Sequence, residues 1–123
     1  MLLEARPSLV SAITKEGNSC AHIAALKGST LVVQELMKFD KTVVINSRNK
    51  VNEATALHIA AEGGYRDLVK VLLDAGASTI DETKNGNTPV HIAARNGYVE
   101  LLNDFAQQGV NMRMVRTTYF NIH

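Results

Sequence analysis

Residues 88–97 read TPVHIAARNG, and the same sentence is written twice earlier, as SCAHIAALKG at 19–28 and TALHIAAEGG at 55–64. The shared histidines are His22, His58 and His91, spaced 36 and then 33 residues apart. Self-similarity at such a period is the mark of a repeat architecture, in which no unit can bury its own apolar face and each shelters its neighbour. Working outward from 88–97, Asn85-Gly86 is a turn dipeptide, because both residues tolerate positive φ. Thr88 is placed to cap a helix, and Pro89 falls at the first helical position, where its missing N–H costs nothing. Val90, Ile92, Ala93 and Ala94 make a short apolar helix that Gly97 ends. A second, amphipathic helix follows from near Tyr98, with Leu101, Leu102, Phe105 and Ala106 on its apolar stripe and Glu100 in its first turn. Gly109 closes the unit.

The middle unit follows the same plan. Thr55 caps, 57–61 is helical, Gly63-Gly64 turns, and Leu68, Val69, Leu72 and Leu73 form the stripe before Gly76-Ala77. In the first unit Ser19 caps, Gly28 turns, and Leu31, Val32, Val33, Leu36 and Met37 supply the stripe. It closes with Asp40-Lys41 in place of glycine. Three extra residues then precede the next unit, an insertion expected between helices. The fold class is therefore all-α, a solenoid of stacked helix-turn-helix units. Its divisions are a partial preceding unit at 1–13, full units at 14–46, 47–82 and 83–111, and a divergent or truncated tail at 112–123.

These residues resemble the ankyrin repeat, whose pattern runs G-x-T-P-L-H-x-A-A, then G-H, a Val/Leu-rich helix, and G-A. Gly86, Thr88, Pro89, His91, Ala93, Ala94 and Gly97 match in one unit. Thr55, Leu57, His58, Ala60, Ala61, Gly64, Leu72, Leu73, Gly76 and Ala77 match in another. Tyr65 and Tyr98 stand at the family's usual histidine after glycine, and Ala56 and Cys20 at its proline, departures expected to weaken individual units. The resemblance implies that each repeat histidine bonds its capping hydroxyl and a neighbouring backbone group. TKEGNSCAHIAALKGS, ELMKFD, RNK and AAEGG, within about residues 6–77, are further similar to the cytoplasmic ankyrin arm of TRPN (NOMPC-type) mechanosensory channels. That likeness implies a fragment of a longer array, acting as a tether or an assembly surface. Both ends have the look of cut ones, with no polar capping face.

Composition narrows the function. Lys and Arg number 13 against 12 Asp and Glu, a balance that argues against a general nucleic-acid binder. Cys20 is the one cysteine, so no internal disulfide exists and a reducing, cytoplasmic setting is expected. No run approaches the ~18 apolar residues of a membrane span, and 1–13 lacks a signal peptide's basic start and apolar block. The three histidines would stack roughly 10 Å apart, one per helix layer, too far to converge on zinc. HIAAE lacks the second histidine of a zinc-protease motif, Cys20 and His22 point to different helix faces, and no phosphate-binding loop occurs. No catalytic residue, metal or cofactor is expected.

What remains is surface for a protein partner. The turn tips would line a groove with Lys15 and Asn18, then Arg48, Asn49, Lys50 and Asn52, then Lys84, Asn85 and Asn87. Leu26, Lys27, Glu62, Arg95 and Asn96 lie on the short-helix edge. Basic and amide side chains favour an acidic or backbone-exposing partner, and a free cytosolic adaptor is the alternative to the channel arm. Uncapped ends also predict self-association.

Overall fold

In a computed structural model, residues 13–15 and 17–110 are described; the partial unit assigned to 1–13, apart from Ile13, and the tail 112–123 lie outside them. The described residues form six helices in three layers. The short inner helices are α1 (Cys20–Leu26), α3 (Ala56–Gly63) and α5 (Pro89–Arg95), and the outer helices are α2 (Thr30–Asn46), α4 (Arg66–Asp74) and α6 (Val99–Gln107). Each inner helix packs on its own outer helix and on the inner helix of the adjacent layer or layers. Val33, Leu36, Leu57, Leu68, Val69, Leu72, Val90, Leu101 and Phe105 are sealed between layers, and alanines let the inner helices approach.

One buried device recurs at the start of each inner helix. The hydroxyls of Ser19, Thr55 and Thr88 accept from the backbone N–H of His22, His58 and His91 at 3.4, 3.4 and 3.2 Å. In return each histidine Nδ1 accepts the capping residue's own N–H, at 3.1, 3.0 and 3.3 Å. This is a capping box with imidazole in the place usually held by Glu or Gln. Because Nδ1 accepts, the proton of the neutral ring sits on Nε2, which must donate elsewhere. His22 Nε2 donates to the carbonyls of Ser47 and Ala54, both at 3.0 Å, and His58 Nε2 to that of Asp81 at 2.7 Å. Those carbonyls belong to the turn leading into the following layer. One side chain thus caps the start of one helix and fastens the next unit to it.

Four features depart from the sequence reading. Ala106, expected on the apolar stripe of α6, is exposed, and Leu101 and Phe105 are the buried residues there. Leu31 and Val32, expected in the stripe, are exposed; the buried positions of α2 are Val33, Leu36 and Val44. The insertion after Asp40 is not a loop. Asp40 leaves helical geometry, its carboxylate accepts the Val43 N–H at 3.1 Å, and it thereby starts a further helical stretch within α2 that buries Val44. Tyr65 and Tyr98, expected to weaken their units, tie layers together instead. Their hydroxyls donate to the carbonyls of Leu26 and Glu62 in the preceding layers, at 3.3 and 3.1 Å. The Tyr65 ring lies so near Gly28 that an added Cβ there would come within 2.7 Å of it. Gly28 also has φ +67, so glycine is required on two counts.

Burial holds the His22 and His58 pKa values below the ordinary 6.5, the backbone carbonyls opposing that shift only in part. The unfolded chain therefore binds protons near pH 6.5 while the folded chain does not, so stability is full above that pH and is lost as pH falls below it. We expect the urea midpoint to be level above about pH 7 and to decline below 6.5. His58→Gln should shallow that decline, and a midpoint that rises on acidification would contradict the assignment.

Candidate functional site

The tips that follow from this stacking are hydrogen-bonded to one another. Lys50 N–H donates to the Gly17 carbonyl at 3.1 Å, and Lys84 N–H to the Asn52 carbonyl at 2.8 Å. Asn49 is buried at the middle tip; its oxygen accepts the N–H groups of Asn52 and Ala54, both at 3.1 Å, and its amide donates to the Asn18 side chain at 3.2 Å. The turn it organises includes Glu53 at φ 59, where the other two tips have Gly17 and Gly86. A side chain in that left-handed region costs on the order of 1–2 kcal/mol, so the middle tip is held against its local preference.

Between these tips and the inner helices runs a groove of about 420 Å³. Ile59 and Ile92, from successive inner helices, contribute its apolar lining together with Leu26 and Val51. Asn18, Asn52, Asn85 and Asn87 contribute amides, and Glu62 and Arg95 contribute charge. The structure thus brings together Asn18, Leu26, Asn49, Asn52, Glu62, Asn85, Asn87 and Arg95 of the residues read from sequence. It does not bring the other cations there. Lys15, Lys27, Lys50 and Lys84 are exposed but lie outside the groove lining. Arg48, expected as a groove cation, is instead a brace: its guanidinium donates to the carbonyls of Glu53 and Glu82, at 3.1 and 2.6 Å, and lies 3.6 Å from the Asp81 carboxylate. Asn49, too, has both ends of its amide engaged in holding the tips.

Charge inside the groove is balanced. Arg95 lies 3.7 Å from Glu62, and the Asn96 amide donates to the same carboxylate and to the Glu62 carbonyl. On the opposite, outer-helix face, Arg66 pairs with Glu100 at 2.6 Å and with Asp104 at 2.7 Å. The Arg66 hydrogen bond draws the Asp104 pKa down and raises that of Arg66, although an exposed pair of this kind adds little stability. Sequence reading missed both this brace and the tyrosine bonds, since each joins residues more than thirty positions apart. Cys20 is half-buried at the proline position of the first cap. Among the described residues no cluster of three His, Cys, Asp or Glu has metal-site geometry, and no helix is long and apolar enough to cross a membrane.

The family model for ankyrin repeats, in three copies, matches residues 2–79 and 21–115. Curated relatives include the Ankyrin repeat and KH domain-containing protein mask of Drosophila melanogaster, 39% identical over 59 residues, which cover 48% of this chain and 2% of that protein. The Transient receptor potential cation channel subfamily A member 1 homolog of Caenorhabditis elegans is 30% identical over 88 residues, 72% of this chain and 7% of that one. The Poly [ADP-ribose] polymerase tankyrase of Caenorhabditis elegans is 31% identical over 88 residues, 70% of this chain and 4% of that one. The chain thus spans a small fraction of each relative, and the relatives differ widely in name. This chain belongs to the ankyrin-repeat family, a non-catalytic interaction fold.

Proposed function

We propose that this chain is a protein-interaction module that works in the cytoplasm, holding a segment of a partner protein in the groove between its tips and inner helices. The observation that carries the reading is the groove itself, an apolar strip edged by amides on a rigid, hydrogen-bonded frame. A concave, mostly apolar surface with a few fixed polar groups is the usual form of a binding site. To test it, a photoreactive phenylalanine analogue is placed at Val51, in the groove, or at Lys70, on the outer helix α4. We expect a discrete cross-linked adduct in cells from position 51 and none from position 70; equal yields would contradict the groove.

A second reading is favoured by a separate observation. Val32, Leu68 and Leu101 occupy equivalent places at the start of the three outer helices, yet they are 48%, 0% and 1% exposed. Ile23, Ile59 and Ile92 show the same gradient at 36%, 8% and 5%. The forward side of the first layer therefore carries apolar positions of the kind that other layers cover. This suits one stretch of a longer stack, and with the channel relative it supports the finer proposal of a cytoplasmic arm from a TRPN-type channel. There neighbouring layers would shear slightly under load and sum many small movements. The same face would let the isolated chain self-associate. Sedimentation velocity should then show mass rising with concentration, and Ile23→Lys with Val32→Lys should hold the chain monomeric. A wild-type chain that stays monomeric at all concentrations would count against this face as a stacking surface.

A further inference from the structure

Which kind of segment the groove accepts is a separate matter, and it rests on the groove reading above. Asn52, Asn85 and Asn87 line the groove, and their side-chain amides make no hydrogen bond within the described residues. Each is therefore a donor and an acceptor held ready at a fixed tip. Ile59 and Ile92 give an aliphatic floor, with the exposed side chains of Leu26 and Val51 beside it. The charged groups that line the groove, Glu62 and Arg95, lie against each other, so the lining has no net charge to offer. A carboxylate entering it would lose water and meet no free cation, a costly exchange. A peptide main chain has alternating N–H and C=O groups that amides satisfy from either side.

We propose that the groove takes an extended, uncharged peptide segment that lays one bulky apolar side chain on Ile59 and Ile92. Its main chain pairs with the amides of Asn52, Asn85 and Asn87. Complementarity of charge decides between this and an acidic ligand: a balanced groove selects a balanced segment. Between the two partner types expected from the sequence, the backbone-exposing one is retained and the acidic one is set aside.

The probe is a displayed library of random peptides, panned on the full chain. Recovered sequences should carry Leu, Ile, Met or Phe at one position, no net charge, and affinity that barely changes with salt. Asn52→Ala combined with Asn85→Ala should weaken them by about tenfold, as should N-methylation of the peptide beside the anchor. Both asparagines are exposed and lack side-chain bonds, and a urea midpoint equal to wild type verifies that the double variant folds. Lys50→Glu and Lys84→Glu should leave affinity unchanged. Acidic peptides whose binding falls with salt and depends on Lys50 or Lys84 would overturn this proposal while leaving a tip-side interaction surface standing. Peptides indifferent to both sets of variants, or no enrichment at all, would overturn the proposal and the groove reading together.

Discussion

A neutral imidazole, buried between layers, is the constraint on which the rest of the molecule turns. In His22 and His58 one ring nitrogen completes the cap of the short helix and the other holds a carbonyl of the next unit's turn. Neither bond would be worth much in open water, where solvent competes for each partner. Burial makes both matter, and burial requires the next layer to be in place. Local helix initiation and long-range stacking are thus joined in one side chain. The tips inherit their positions from it, since Ser47, Ala54 and Asp81 stand at or near the base of the turns that carry the groove's asparagines.

How much of this the sequence discloses depends on the range of each interaction. Capping residues, first-turn Pro89 and the acidic first-turn residues Asp67 and Glu100 act within four positions, and the helices fall where those signals put them. The apolar stripe is readable in α4 and, apart from the exposed Ala106, in α6 for the same reason. At Leu31 and Val32 periodicity admits two candidate faces, and only the neighbouring layer selects the one that leaves both exposed. Asp40 stands where the other units have glycine, yet its carboxylate restarts a helix that glycine would end. In the groove, residue type was legible and direction was not. Arg48 and the lysines look alike in sequence, but Arg48 alone has carbonyls of two tips within reach.

The repeat architecture is common to relatives as different as a KH-domain protein, a cation channel homolog and a tankyrase. The capped helices and glycine stops therefore say how the chain folds, and under the proposed reading the tip residues decide what it holds. Here those are amides over isoleucines, with charge cancelled locally by Glu62 and Arg95 and the lysines set outside. The tyrosines add a second set of bonds between layers on the far side of the inner helices' ends. Histidines and tyrosines together make the described stack a chain of nearest-neighbour bonds, so its stability is a sum of layer and interface terms.

The central claim, that a neutral Nε2-protonated histidine bridges each described pair of layers, is open to direct measurement by long-range ¹H–¹⁵N NMR correlation of the histidine rings. At pH 7 the account predicts that His22 and His58 both show a protonated Nε2 and an unprotonated Nδ1. Scalar coupling should run from that Nε2 proton to the carbonyl carbons of the following turn. A protonated Nδ1, or rings exchanging freely between tautomers, would contradict it.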